Sequence, residues 1–409
     1  MIKQIYLFTE KIKADTYGIG TYIEQLSNCF STENGIKLNI INLRSNCKEF
    51  YREDKNGINY FYIPKVFDFD SQDFYYRNVF YLIHPYISPQ SNIIFHFNLV
   101  EQIELVDYIS KYFTTAKFCI TIHFFNWSFL LNGDIERLEL ILKKQQSQQE
   151  LSDFEQKIIR TVNNEITFLK KTNSIICLSE YAQRCIKTLY HISIESSIKI
   201  NNGIIPVYPS KKRDEIKKDM FISPTDTVVT FVGRLYESKG INILLEAFEI
   251  LLKKYVHVKL IVVGDGNITS YINKCFPFLN KTLFTGYISK EQLELIYSMT
   301  DIGVLPSYHE QCSFVAIEMM AHKIPIVYTN TLGLNEMLSH EMNISLKRDE
   351  TGRLFQDPKE LAEKLLFLCK NEGFRNKLSL ISLEAYKEKY TLKKMKEEYI
   401  SFYNRLYNS

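Results

Sequence analysis

The sequence has no Cys-x-x-Cys pair. Its eight cysteines, Cys29, Cys47, Cys119, Cys177, Cys185, Cys275, Cys312 and Cys369, are scattered. That argues against a zinc site or a disulfide framework and fits a reducing cytoplasm. No stretch approaches the roughly 18 apolar residues of a membrane span. The opening run MIKQIYLF is too short for a signal peptide. Charge of one sign is lacking as well, because 50 basic residues stand against 47 acidic ones for a net charge of +3. A nucleic-acid binder would gather its basic groups on one face, and no such bias is visible. Short-period repeats are absent.

What is present is an ordinary globular composition, 45% hydrophobic and 24% charged, which excludes a disordered chain. At 409 residues the chain exceeds one ordinary core, so two domains are expected. Short β-branched or aromatic runs alternate with helical patterns throughout. The first half predicts strands at 2–8, 37–43, 58–63, 92–97, 117–122, 174–178 and 197–200. Several are apolar without alternation, as in strands covered on both faces. The stretch from Asn126 to Lys171 reads as solvated helix, with a lid as one role for it. The charged run KKRDEIKK, after Pro206 and Pro209, reads as a linker. Strands then resume at 227–232, 258–263, 282–285, 302–305 and 325–328, and beyond Pro358 the pattern is helical to the end. Two βαβ series imply an α/β protein with two doubly wound sheets.

The segment from Leu305 to Val327 is the richest in chemistry. A strand ends near Leu305, a loop carries Glu310, and a helix starting near Ser313 holds Glu318. The amides of Ser313, Phe314 and Val315 at the helix start would form an anion site. Glu318, one turn on, can accept two hydrogen bonds from ribose hydroxyls, and Glu310 can hold a sugar. After the first strand of the second half comes Gly233-Arg234, with Lys239-Gly240 nearby. Gly233 permits close backbone approach. Arg234 can grip phosphate oxygens in pairs and Lys239 adds a mobile charge, which together stabilise a departing diphosphate.

These motifs, with Val263-Gly264-Asp265-Gly266 and Phe284-Thr285-Gly286-Tyr287 between them, resemble in order the signature of the group 1 (family 4) retaining glycosyltransferases of GT-B fold. The resemblance is strongest over 225–345. It implies two Rossmann-like domains facing across a cleft: an acceptor domain at 1–208, a nucleotide-sugar domain at 219–390, and a C-terminal helix at 391–409 packing back on the first. It implies that Arg234 and Lys239 bind the donor diphosphate, Glu318 the ribose and Glu310 the sugar. Tyr287 and Ile288 would lie beside the base. Gly264 and Asp265 would line the cleft, Gly264 more as a backbone requirement than as a contact. Where the family commonly has a Gly-Phe-Gly-like run, this chain has Gln311-Cys312-Ser313-Phe314, so the sugar is left unnamed.

In the first half Tyr17-Gly18-Ile19-Gly20 lacks the third glycine of a dinucleotide fingerprint, since Ile23 stands there. It resembles the family's N-terminal glycine loop, or else is an ordinary strand–helix turn. His123 ends a strand and is either a core histidine or, by the resemblance, a contact to donor sugar or acceptor. His96 and Asn98 are further acceptor-side candidates. Phe124, Phe125 and Trp127 read equally as core or as an acceptor groove.

The activity implied is transfer of a sugar from a nucleotide diphosphate sugar, UDP-linked ahead of GDP-linked, to an acceptor hydroxyl with retention. No metal or other cofactor is expected. The acceptor could be a glycan, a lipid-linked glycan, a peptide or a small molecule, at the cytoplasmic face of a membrane or free in the cytoplasm. The rival readings are a nucleotide-sugar epimerase, an NAD-dependent oxidoreductase and a non-catalytic glycosyltransferase-like subunit.

Overall fold

A computed structural model of the chain describes residues 3–10, 18–30, 35–65, 72–88 and 93–408. The chain divides into two compact units. The first comprises 1–130, 135–203 and 392–409, and the second 131–134 and 204–391.

Among the described residues, the first unit is built on β1 (Lys3–Glu10), β2 (Ile36–Ser45), β3 (Tyr51–Lys55), β4 (Ile58–Pro64), β5 (Ile93–Phe97), β6 (Lys117–Ile122), β7 (Ser174–Cys177) and β8 (Ser197–Lys199). Their order is β3-β4-β2-β1-β5-β6-β7-β8. β3 pairs antiparallel with β4, and the other pairings are parallel. β5 is buried along its whole length, His96 being its one polar side chain. The C-terminal helix Leu392–Asn408 belongs to this unit and places Tyr399 and Tyr403 fully inside its core.

The second unit holds a parallel sheet of β9 (Thr227–Val232), β10 (Val258–Val263), β11 (Thr282–Gly286), β12 (Ile302–Leu305), β13 (Ile326–Thr329) and β14 (Asn343–Ile344). The order is β11-β10-β9-β12-β13-β14. A hairpin of β15 (Leu346–Arg348) and β16 (Leu354–Gln356) follows. Successive residues point to opposite faces of a strand, and both faces here are covered. Val229, Phe231, Leu260 and Val262 pack with the helices Ile241–Leu252 and Pro358–Lys370, while Val228, Ile261 and Val263 pack with Ile216, Ile296 and Met299.

Two expectations need correction. The KKRDEIKK run is not a linker, because Arg213–Asp219 is a helix with Ile216 and Lys217 buried. Lys217 buries its stem and donates to the carbonyl of Asp226 at 2.8 Å. The chain passes between units at Gly203–Ile204, ahead of that run. The stretch after Asn126 is likewise not simply solvated. Its long helix Asp153–Leu169 has a capping box at Ser152 and buries Ile158, Val162, Glu165 and Phe168. No helix among the described residues is long and apolar enough to cross a membrane.

Candidate active site

The strand order of the second unit reverses between β9 and β12. The crevice beyond the carboxyl ends at such a switch point is where ligands bind in open α/β sheets. The sequence candidates of this unit lie on the loops there. Gly233 donates to the carbonyl of Val263 at 3.0 Å, and Gly264 to that of Gly286 at 3.0 Å, so the loops after β9, β10 and β11 run edge to edge. A β-carbon at Gly264 would stand 1.9 Å from the Gly233 carbonyl oxygen. Gly264 is thus a backbone requirement. Gly240 has φ +72°, and a β-carbon there would meet the Pro306 carbonyl oxygen at 1.9 Å. Tyr308 donates to the Ser238 carbonyl at 2.9 Å. The loops after β9 and β12 are therefore fastened to each other.

That fastening brings Lys239 to Glu310, with Nζ to Oε1 at 2.5 Å. The Arg234 guanidinium lies over the Tyr236 ring, 4.4 Å from its centroid. Ser313 caps the helix Phe314–Ala321, its hydroxyl accepting from Ala316 N–H at 3.4 Å. The amides of Phe314 and Val315 precede the first intrahelical bond and face outward. Glu318, further along this helix, accepts from the Tyr297 hydroxyl at 2.7 Å. Tyr287 is 86% exposed, whereas Ile288 is half-buried against Ile216 and Ile296. Asp265 closes a local turn, accepting from Gly266 N–H at 2.8 Å.

In the first unit the order reverses between β1 and β5. Gly18, with φ +72°, precedes the helix Ile19–Phe30, and Gly20 lies in that helix's first turn. Tyr17 falls outside the described residues. His123, just past β6, bonds through Nε2 to Asn98 Oδ1 at 2.8 Å, and Asn98 donates onward to the Phe8 carbonyl at 2.9 Å. The edge of His123 meets the Tyr22 ring at 4.6 Å between centroids. His96 is a correction. It is fully buried, with Nδ1 2.7 Å from the Tyr403 hydroxyl and Nε2 2.8 Å from that of Thr121. Both nitrogens are taken by the core, so it has none left for an acceptor. Phe125 and Trp127 are core too, 1% and 0% exposed, while Phe124 is half-buried against Phe129.

Residues 226–371 match the family model described as Glycosyl transferases group 1. The likeness to that family lies in this segment. Among curated relatives, an uncharacterized glycosyltransferase of Methanocaldococcus jannaschii is 27% identical over 177 residues, 41% of this chain and 45% of that one. The capsular polysaccharide biosynthesis glycosyltransferase CapM of Staphylococcus aureus is 27% identical over 181 residues, 43% of this chain and 46% of that one. The chain thus spans about half the length of the curated relatives it matches. Among solved structures, sucrose-phosphate synthase of Thermosynechococcus elongatus covers 99% of both chains with a TM-score of 0.74 at 17% identity. Anabaena HepE in complex with UDP-glucose covers 98% of this chain and 99% of that one, with a TM-score of 0.70 at 13% identity. The fold is GT-B.

Electrostatics single out Glu318 in the matched segment. Burial pushes its carboxyl up to about 7, against the Tyr297 hydrogen bond, which lowers it. Tyr297 was not legible as a site residue, since it sits at an ordinary core position of the helix Lys290–Met299. His322 closes the other end of the Glu318 helix, with Nδ1 2.9 Å from the Glu318 carbonyl oxygen and Nε2 2.7 Å from Glu294. In the first unit burial holds His123 down at about 3, so it is a neutral imidazole. No group of three or more His, Cys, Asp or Glu side chains among the described residues could hold a metal ion.

Proposed function

We propose that the chain transfers a sugar from a nucleotide diphosphate sugar to an acceptor hydroxyl, with retention at the anomeric carbon. The observation that carries this reading is the Lys239–Glu310 pair at the β9/β12 switch point, one turn-length away in sequence from the helix that bears Glu318. A cation for the diphosphate, a carboxylate for the sugar and a carboxylate for the ribose are then supplied by neighbouring loops of one unit. Arg234, Lys239 and the amides of Phe314 and Val315 supply positive field to the leaving phosphate. In the reaction the bond from anomeric carbon to phosphate oxygen breaks and the acceptor oxygen takes its place on the same face. The acceptor proton passes to the departing diphosphate. This chemistry calls for no metal, and activity is expected to survive EDTA.

UDP is the expected carrier ahead of GDP. The acceptor is expected to be a cell-surface or lipid-linked glycan, reached from the cytoplasm at or near a membrane surface. The names of the matched relatives, capsular polysaccharide biosynthesis in one and teichuronic acid biosynthesis in another, support that class. The test is a thermal-shift screen of UDP-, GDP- and ADP-sugars, followed by product analysis with the donor that stabilises most. Glycosylated acceptor with the anomeric configuration of the donor supports the reading. Interconversion of free sugar nucleotides without transfer, or nucleotide binding without turnover, refutes it.

A further inference from the structure

We propose that His322 is a positioning residue for Glu318, and that it works as an imidazolium paired with Glu294. The proposal rests on the donor reading above, in which Glu318 takes the ribose. Glu318 is only half-buried, so a ligand can reach it.

Two helices meet at that carboxylate. Lys290–Met299 carries Glu294 and Tyr297, one turn apart. Phe314–Ala321 carries Glu318, with His322 one turn on as its C-cap. Tyr297 holds the Glu318 side chain, its hydroxyl donating at 2.7 Å. His322 holds the Glu318 main chain. Its backbone amide and its Nδ1 both reach the Glu318 carbonyl oxygen, at 3.1 and 2.9 Å. Its Nε2 lies 2.7 Å from Glu294 Oε2. The helices are thus tied by two polar links, one ending on the Glu318 carboxylate and the other on the residue that caps its helix.

The charge of the ring follows from its partners. A carbonyl oxygen only accepts, so Nδ1 carries a proton. Nε2 without one would set a lone pair against a carboxylate oxygen, where the imidazole is 3% and the Glu294 side chain 8% exposed. A second ring proton turns that repulsion into an ion pair. Burial opposes the charged ring, but Glu294 and the Glu318 and Val207 carbonyls outweigh it and lift the imidazole above its ordinary value. A cation is also favourable at the C-terminal end of a helix. The Tyr208 and Tyr297 rings lie 5.1 and 5.2 Å from the imidazole between centroids. His322 also lines a cavity of about 490 Å³, which Arg213, Lys217, Lys323 and Arg375 share with Asp226, Asp301 and Glu372. Asp301 is already answered there by Arg213 at 2.6 Å. Without His322, Glu294 loses its counter-ion while a second carboxylate, Glu318, sits on the facing helix, and each then disfavours the charge of the other.

The full chain at about pH 7 provides the test. Nitrogen-15 NMR of the histidine rings is expected to show His322 protonated on both nitrogens. Glu294→Gln, whose amide donates to a bare Nε2, should return the ring to the neutral form with its proton on Nδ1. In calorimetric titration with UDP, His322→Leu is expected to bind about tenfold more weakly than the wild type. Adding His322→Leu to Glu318→Gln should cost less than about a further twofold, since His322 acts through Glu318. A merely structural role would lower the melting temperature and leave the UDP affinity of the folded chain alone. A neutral His322 in the wild type overturns the proposal. So does an unchanged UDP affinity in His322→Leu, or losses that add in the double variant. If His322→Leu does not fold, His322→Gln, which keeps a donor but no charge, takes its place in both titrations. A wild type that fails to bind UDP defeats the donor reading, and the proposal with it.

Discussion

The strand order of each unit reverses at one switch point, and the two units use it in different ways. In the first, the strand ends carry polar side chains that bond to each other. Tyr22, Thr121 and Tyr399 share hydroxyl contacts, His96 joins Thr121 to Tyr403, and Asn98 ties His123 to β1. In the second, glycines bring backbones together after β9, β10 and β12, and the charged side chains on those loops make local contacts, Lys239 with Glu310 and Arg234 over the Tyr236 ring. A side-chain network that satisfies itself fixes a frame through its polar groups, whereas backbone stitching fixes a frame without using the side chains of its loops. The contrast teaches that a polar residue at a strand end is a poor site marker until its partners are known. His96 and His123 both end strands, and one is wholly consumed by the core.

The sharpest way to break this contrast is to remove the second unit's cations. Arg234→Ala and Lys239→Ala are each expected to lower kcat/KM by about 10- to 150-fold, the worth of a charge-assisted bond of about 1.5–3 kcal/mol to a group gaining charge. Circular dichroism should show an intact fold. Near wild-type kcat/KM in either variant would remove that residue from the mechanism.

The next effect divides the two glutamates. Glu318→Gln is expected to weaken binding of the bare nucleotide diphosphate as well as the donor. Glu310→Gln should leave the bare nucleotide nearly unaffected while cutting turnover, because the contacts proposed for it act on the reacting sugar. Calorimetry paired with initial rates reads the split, and equal losses of nucleotide affinity would contradict it.

A third test targets the first unit. His96→Leu strands the Tyr403 and Thr121 hydroxyls in the core and should cost about 1–3 kcal/mol of stability. Nucleotide affinity should stay the same. If affinity falls without a loss in melting temperature, His96 is a ligand contact after all.

The smallest expected effect is a pH dependence. Burial holds Glu318 near 7, and ribose hydroxyls donating to it favour the charged form, so binding expels a proton. Affinity for the nucleotide is expected to rise from pH 6 to about 7 and then level off. Stability has the opposite sign. The unfolded carboxyl ionises near its ordinary value while the folded one keeps its proton to about 7, so stability falls as pH rises through that interval. Titrating Glu318→Gln alongside isolates this contribution from the nucleotide's own ionisation, and identical pH profiles would rule it out.

Much of this was readable beforehand where residues act through chain order. The buried parallel strands betray themselves as unbroken apolar runs, and Arg234, Lys239, Glu310 and Glu318 stand at fixed steps after strands. What escaped depends on neighbours distant in sequence. β3 reads YREDK and is largely exposed, so it carries no apolar signal. The helix Arg213–Asp219 hides two buried residues in a charged run. Tyr297 acquires meaning only through its hydrogen bond to Glu318.

The return of the chain to the first unit has a consequence for synthesis. Ile204 and Thr391 pair in a parallel bridge, and the Ile204 amide donates to the Tyr390 carbonyl at 3.1 Å, so the outward and homeward crossings lie side by side. The second unit is an insertion, complete in contiguous sequence apart from residues 131–134. The first still lacks Tyr399 and Tyr403 when its own strands have left the ribosome. The later half of the gene therefore encodes the part that can mature earlier, and the earlier half waits, its core open, for the final turns of helix. Nascent chains halted after residue 391 should show a protease-resistant second unit beside a sensitive first one; resistance of both would mean that the closing helix is an ornament to a core already made.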